Sequence, residues 1–287
     1  MTPRELLDGW LSRRLDRAAT EWLRAACERV SGSDAGPDFF LAYGTATRKA
    51  GRADLALADA DVRAANEARR GWSPVLWSVD QAVRARLLLA LPDTGAESLA
   101  RTAANLCADG DLGEQVAFFQ ALPLLPHPET FRARTAEGIR TNMKPVFEAI
   151  AHRNPYPAEQ LDEAAWNQLV VKCFFVGSPL FLIDGLDGRT NTALARILCD
   201  LARERWAAGR PVSPELWRCV GPVADGPMLA DLTHAVAIGT DVDRAAVGLS
   251  TQHNPNAEGL LFAKGRVINA ALGQYPTWDA ILAALPR

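Results

Sequence analysis

The sequence predicts an all-α protein built from stacked helical hairpins, an α-α superhelix of the HEAT or armadillo type with no significant sheet. Apolar residues recur at helical spacing in most segments of the chain. Glycine or proline marks nearly every break between these segments. Strand signals are weak, because apolar and polar residues do not alternate and β-branched residues are scarce beside alanine and leucine. We therefore expect helices from one end of the chain to the other.

The first helices are predicted by a start signal and an apolar stripe. Thr2-Pro3-Arg4-Glu5 is a capping box with proline at the first helical position. Residues 7–30 place apolar side chains on one helical face, and residues 31–37 are typical of a loop. The further helices predicted in this half cover residues 39–50, 53–70, 75–91, 95–108, 113–124 and 129–151, the last of them divided by Pro145.

The second half continues in the same style. The turn Gly177-Ser178-Pro179 ends a helix, because proline prevents its continuation. Asn191 has a side chain suited to an N-cap and begins the next helix. The helices predicted in this half cover residues 158–176, 191–208, 213–220, 226–238, 242–252, 257–271 and 277–285.

Two parts of the chain show internal similarity. Residues 99–106, followed by Asp111-Leu112, align with residues 229–236, followed by Asp241-Val242. Each part has a helix, a short turn with aspartate and a second helix, which is the unit of a helical-repeat stack. A non-repeating helical bundle is the alternative. No linker is visible, so we predict one all-helical domain over residues 1–287.

Composition and charge exclude several classes of protein. The 287 residues are 48% hydrophobic, enough for a substantial core, and the net charge of -3 argues against a nucleic-acid-binding surface. The five cysteines include no Cys-x-x-Cys pair, so neither a disulfide framework nor a structural zinc site is predicted. No apolar run approaches the ~20 residues of a membrane-spanning helix, and the N-terminus has no apolar signal core. We expect a cytoplasmic protein without a transmembrane segment.

The loop at residues 181–191 is the first candidate for a site. Asp184 and Asp187 lie in it beside glycines, Arg189 follows, and the start of the next helix can hold an anion. These groups suit a polar ligand. The alternative is an ordinary turn in which Asp187 pairs with Arg189 or caps the next helix. The usual catalytic signature motifs do not occur in the chain.

Lys172 and other basic residues form the second candidate. Lys172 lies in the apolar run 169–175, where a lysine either reaches solvent or is buried with a lowered pKa that suits a base or nucleophile. Lys172 and Arg189 could form a cationic pocket for a phosphorylated or carboxylated intermediate, joined by three further basic residues: Arg140, Lys144 and Arg153. No two histidines have ligand spacing within one helix, so no metal is predicted, and no cofactor either. The ligand-binding candidates are Arg153, Asn154, Lys172, Asp184, Asp187 and Arg189.

Three tryptophans are widely spaced in the middle of the chain: Trp166, Trp206 and Trp217. Tryptophans at helical positions are usually packing anchors. In a lipid-handling protein they would also line an apolar groove. The sequence leaves both interpretations open.

Several residue-specific landmarks lie between residues 146 and 224. They are His152-Arg153-Asn154-Pro155-Tyr156-Pro157, Trp166-Asn167-Gln168, Lys172, Val176-Gly177-Ser178-Pro179-Leu180, Gly185-Leu186-Asp187 and the run from Arg205 to Trp217. This stretch resembles the core of the EboA family, the first protein of the bacterial ebo operon. The resemblance is strong over residues 130–225. We therefore predict a family core there, followed by a C-terminal helical-repeat extension at residues 226–287.

The resemblance implies a role in a secondary-metabolite pathway. The operon typically also encodes a prenyltransferase, a sugar-phosphate-cyclase-like protein, a metal hydrolase, and isomerase-like and phosphatase-like proteins. A prenylated or cyclitol-like intermediate is therefore expected. We favour a non-catalytic accessory protein that binds such an intermediate, or another ebo-operon protein, along a helical groove. The first alternative is a cofactor-free enzyme with Asp187, Lys172 and His152 as catalytic candidates and with Arg153 and Arg189 as anion clamps. The second is a pure protein–protein scaffold.

Overall fold

The computed structural model describes residues 1–32, 36–93 and 95–285. Within these ranges the fold is all-α, as predicted, with seventeen α-helices and six short 3-10 helices. The β pairing found in the same ranges is an isolated bridge between Asp54 and Ser78. The predicted loop at residues 31–37 lies in part outside the described residues, since residues 33–35 are not among them.

The chain forms two compact units. The first comprises residues 1–166 and 182–184, and the second comprises residues 167–181 and the chain from Gly185 onward. The predicted single domain, with its core at 130–225 and its extension at 226–287, stays a prediction. The helices are α1 Pro3–Ser12, α2 Arg17–Ser31, α3 Pro37–Ala50, α4 Asp59–Ala68, α5 Val79–Leu88, α6 Ala96–Asp109, α7 Leu112–Ala121, α8 Arg132–Ile139, α9 Lys144–Ala151, α10 Tyr156–Gln160, α11 Glu163–Val176, α12 Thr192–Ala207, α13 Glu215–Val220, α14 Gly226–Ile238, α15 Asp241–Thr251, α16 Glu258–Gln274 and α17 Trp278–Ala284.

The two long stretches predicted as single helices are divided by capping residues. The apolar stripe at residues 7–30 is shared by α1 and α2, because the Asp16 carboxylate accepts a backbone hydrogen bond and starts α2. Asp162 does the same between α10 and α11. The break predicted at Pro145 falls just before it, and Pro145 lies in the first turn of α9, where its missing N–H costs nothing.

Three local predictions are confirmed. Thr2 and Glu5 form the capping box that starts α1. The Asn191 side chain accepts a hydrogen bond from the Leu194 N–H and caps α12. Helix α11 ends before Gly177, whose φ of 63° is left-handed and favours glycine.

Alternate helices pack side by side within each unit. In the first unit α3 packs on α5, α5 on α7 and α7 on α9. In the second unit α13 packs on α15 and α15 on α17, while α12 packs on α14 and α14 on α16. Contact between every second helix is what a stack of helical hairpins requires. The HEAT-like superhelix itself stays a prediction.

One turn has the same construction in both units. In each, an Asn-Pro pair follows a helix, and the asparagine side chain is buried. Its Nδ2 donates to two backbone carbonyls, and its Oδ1 accepts the N–H two residues later, so the amide has no donor left. The carbonyl partners are Phe119 (2.9 Å) and Ala149 (3.0 Å) for Asn154, and Gly221 (2.8 Å) and Ala224 (2.8 Å) for Asn254. The N–H donors are those of Tyr156 and Asn256.

Candidate functional site

The second unit contains a groove of about 510 Å³. It lies where the end of α12, the turn after it, α13, the end of α14 and the start of α15 meet. This volume falls within the ~300–1,000 Å³ typical of small-molecule sites. We call it the aromatic groove; its lining includes Trp206, Arg210, Val212, Trp217, His234 and Ile238.

Two tryptophans and a histidine form the aromatic wall of this groove. The Trp206 and Trp217 rings are stacked, with centroids 5.8 Å apart and planes 24° from parallel. His234 meets Trp206 edge to face at 4.6 Å. Trp217 is only 1% exposed, whereas Trp206 is half-buried. Trp217 therefore anchors the core, and Trp206, packed between Trp217 and His234, keeps part of its side chain exposed at the groove.

The turn after α12 carries a cation at the groove. Gly209 has a left-handed φ of 64°, which favours glycine and reverses the chain. The turn is held to α12 from both sides, since the Arg210 N–H donates to the Arg205 carbonyl (2.8 Å) and Arg205 Nε donates to the Pro211 carbonyl (2.6 Å). Arg210 is exposed, and among the described residues no carboxylate lies within ion-pair distance of it. Its charge is thus available to an anionic group.

The opposite side of the groove has an acid that is already engaged. The Asp243 carboxylate accepts from the N–H (2.8 Å) and the hydroxyl (2.7 Å) of Thr240, forming the capping box of α15. Beside it Ile238 is 58% exposed, which leaves apolar surface open to the groove. The groove therefore suits an amphipathic molecule, with a planar or apolar part against Trp206 and an anionic part at Arg210.

A protein-family model described as metabolite traffic protein EboA matches residues 3–221. The chain belongs to the EboA family. The predicted resemblance is thereby confirmed over a longer stretch than residues 130–225. Searches of curated proteins and of solved structures found no match. Trp206, Arg210 and Trp217 lie within the EboA match, whereas His234 and Ile238 lie beyond its end.

Three of the residues that the sequence singled out meet in the first unit. His152, Arg153 and Asn154 line a cavity of about 220 Å³, which we call the polar cavity. Asp184, also in this unit, lies against Gly71, where an added Cβ would be 2.9 Å from the Asp184 carboxylate. Burial, and then the charge of Glu159, raise the pKa of Asp184.

The remaining candidates lie in the second unit. The Asp187 carboxylate accepts two hydrogen bonds from the Arg218 guanidinium, at 2.6 and 2.7 Å. Lys172 is half-buried on α11, where burial lowers its pKa, and Arg189 ends a short 3-10 helix. Lys172, Asp187 and Arg189 line neither the aromatic groove nor the polar cavity. Their roles in binding or catalysis stay predictions.

Metal clusters and membrane-spanning helices are both absent from the described ranges. There, no group of three or more His, Cys, Asp or Glu side chains is arranged to hold a metal ion. Nor is any of the described helices both long enough and apolar enough to cross a bilayer.

Sequence reasoning missed Arg210, His234 and Arg218. Arg210 belongs to the landmark run from Arg205 to Trp217, and an arginine between glycine and proline in that run was a usable signal. No sequence pattern pointed to His234 as a site residue, because its position in the middle of a predicted helix does not reveal its contact with Trp206. Arg218 lies 31 residues beyond Asp187, so only the fold brings the two together.

Proposed function

We propose that this EboA-family protein is a non-catalytic accessory protein that holds an amphipathic secondary-metabolite intermediate in the aromatic groove. The observation that carries the proposal is the stacked Trp206–Trp217 pair beside the exposed Arg210. Stacked indoles bind a planar ring or a prenyl chain, and a guanidinium binds a carboxylate or phosphate. The family description, metabolite traffic protein, agrees with a carrier role.

A prenylated or cyclitol-like intermediate with an anionic group would use both parts of the groove. The carrier would keep the apolar part out of water and present the molecule to another protein of the ebo operon. A cytoplasmic location belongs to the same proposal, and the five free cysteines of the described chain suit a reducing compartment.

The test begins with the native protein and small molecules that co-purify with it. Mass spectrometry of the denatured wild type is compared with the variants Trp206→Ala and Arg210→Ala. The matched control is Asn105→Ala, which alters a separate cavity of about 380 Å³ lined by Phe40 and Tyr43. We expect a species retained by the wild type and the control and depleted in both groove variants.

Calorimetric titration with geranyl diphosphate and with geraniol separates the two parts of the groove. Truncation of an aromatic hot-spot residue costs about 2 kcal/mol or more, so Trp206→Ala should weaken binding of both probes by about tenfold or more. Arg210→Ala should weaken binding of the diphosphate and leave geraniol unchanged. If all four proteins bind both probes equally, or none binds either probe and nothing co-purifies, the groove is not a metabolite site.

A further inference from the structure

The polar cavity of the first unit is built from three separate segments. They are residues 73–77, Gln120 on α7, and the stretch from Pro145 to Asn154 that includes the end of α9. Its volume of about 220 Å³ is well above the ~10–15 Å³ that a single water molecule needs. The cavity can therefore hold a small polar molecule.

Two strained residues border this cavity. Leu76 has φ of 71° and Arg153 has φ of 51°, both in the left-handed region that large side chains avoid. In the described ranges only two other non-glycine residues, Ala56 and His127, have positive φ. The Arg153 N–H donates to the Leu182 carbonyl at 2.8 Å, which helps to hold this conformation. Strain of this kind gathers at binding sites, where the surrounding structure imposes it.

Arg153 carries a charge that the described protein does not neutralise. It is half-buried, and burial lowers its pKa, with no carboxylate acting in the other direction. Two other half-buried arginines do have an acid, since Arg69 pairs with Glu159 and Arg218 with Asp187. A partly desolvated, unpaired guanidinium is costly, so its retention calls for an anionic partner.

Gln120 also lines this cavity, and one of its polar atoms is unsatisfied. Its Oε1 is buried and has no hydrogen-bond partner among the described residues. Rotation of the amide exchanges its oxygen and nitrogen, so Gln120 can turn its NH₂ toward an anion. The Ser73 hydroxyl and the His152 imidazole line the cavity beside it. These donors complement the guanidinium.

One acidic residue, Glu148, also lines the cavity, and it forms an ion pair with Lys144. Glu148 lies 3.6 Å from Lys144 Nζ, one helical turn earlier on α9. Lys144 therefore offsets part of the negative charge of Glu148, and Arg153 is the cation among the residues that line the cavity. Asn154 adds no donor, because its amide is committed to the turn.

From this arrangement we propose that the polar cavity is a binding site for a compact oxyanion, a carboxylate or phosphate group, held by Arg153 and Gln120. The site is independent of the aromatic groove, because each is lined by residues of a different unit. A free phosphate and a phosphorylated or carboxylated metabolite share this chemistry.

The test uses the full chain and calorimetric titration at constant ionic strength, with inorganic phosphate and acetate as probes. The variants are Arg153→Gln and Gln120→Leu, with Arg140→Gln as the matched control, because Arg140 is an exposed arginine of the same unit that does not line the cavity. We expect one anion per chain for the wild type and the control. Either substitution in the cavity should weaken that binding by about tenfold or more.

Thermal denaturation without anion supplies a second readout. Arg153→Gln should melt at or above the wild-type temperature, because a desolvated charge has been removed. Phosphate should raise the melting temperature of the wild type and of the Arg140→Gln control, but not that of Arg153→Gln. The proposal is overturned if Arg153→Gln binds both anions as the wild type does, or if the wild type binds neither. Repeating the titration in Arg210→Ala separates this site from the aromatic groove, since anion binding here should persist when groove binding has failed.

Discussion

At the scale of the residue, the clearest electrostatic feature is the buried pair formed by Asp80 and Arg84 on α5. Arg84 is 1% exposed, and its guanidinium donates to Asp80 at 2.8 Å and to the Tyr43 carbonyl at 3.1 Å. Burial by itself would raise the pKa of Asp80. Hydrogen bonds from the Ser78 and Thr47 hydroxyls and the charge of Arg84 outweigh that effect and hold the pKa below its ordinary value.

This lowered pKa predicts acid sensitivity. A carboxyl with a lower pKa in the folded state stabilises the fold above its unfolded pKa, about 3.9, and loses that contribution as pH falls through the folded pKa. Asp80→Asn should lower the free energy of unfolding by about 3–5 kcal/mol at pH 7 and flatten its fall below about pH 4. Urea denaturation across pH measures both. The exposed acid variant Asp200→Asn should behave as the wild type; equal curves for all three would contradict the assignment.

A second prediction at this scale concerns the two Asn-Pro turns. Asn154 and Asn254 each satisfy two backbone carbonyls, so replacement by alanine should cost about 1–3 kcal/mol at either position. The midpoint of chemical denaturation measures the loss. If Asn154→Ala left stability unchanged but weakened anion binding, Asn154 would be a ligand contact, as the sequence suggested, and not a support for the turn.

At the scale of the element, the close approach of α15 to the 3-10 helix Gly221–Val223, which follows α13, depends on a missing side chain. A Cβ at Gly221 would lie 2.1 Å from Ser250 Oγ and 2.7 Å from the Ser250 carbonyl carbon, and backbone cannot move aside as a side chain can. Gly221→Ala should therefore destabilise the fold by about 1–3 kcal/mol. The control is Gly265→Ala on α16, where a Cβ meets nothing within 4 Å and helix propensity favours alanine by up to about 1 kcal/mol. We expect Gly221→Ala to lower the melting temperature and Gly265→Ala to leave it unchanged or raise it. Small shifts of the same sign in both variants would show that a Cβ can be accommodated at Gly221.

At the scale of the whole molecule, both units contain buried cysteines. Cys27, Cys173, Cys199 and Cys219 are buried, and Cys107 is half-buried. Burial raises the pKa of Cys107 to about 11 and those of Cys199 and Cys219 to about 12. The reactive thiolate is therefore scarce at pH 8.

A disulfide reagent should accordingly react slowly with the native protein at pH 8. In denaturant all five thiols should react fast, because the chain has five cysteines and all are free in the described structure. Absorbance of the released thiol measures both rates. Fast reaction of two or more thiols before unfolding would mean that one of the units opens readily in solution.

The fold class and the helices could be predicted from the sequence, because they depend on residues that are close together in the chain. Apolar spacing, the capping box at Thr2 and the cap at Asn191 act within one or two turns of helix, so the all-α fold and most helix ends were predictable. The family was predictable for a similar reason, because the landmark run from Arg205 to Trp217 is contiguous.

The tertiary structure decided what depends on distant partners. The Asp187 carboxylate meets Arg218, His234 meets Trp206, and Gln120 shares a cavity with Arg153. In each case the residues are separated by many positions, so no local spacing could place them together. Ion pairs, desolvated side chains and cavities form only when helices pack against one another. The packing therefore determines which of many charged residues lacks a partner and which aromatic ring stays exposed.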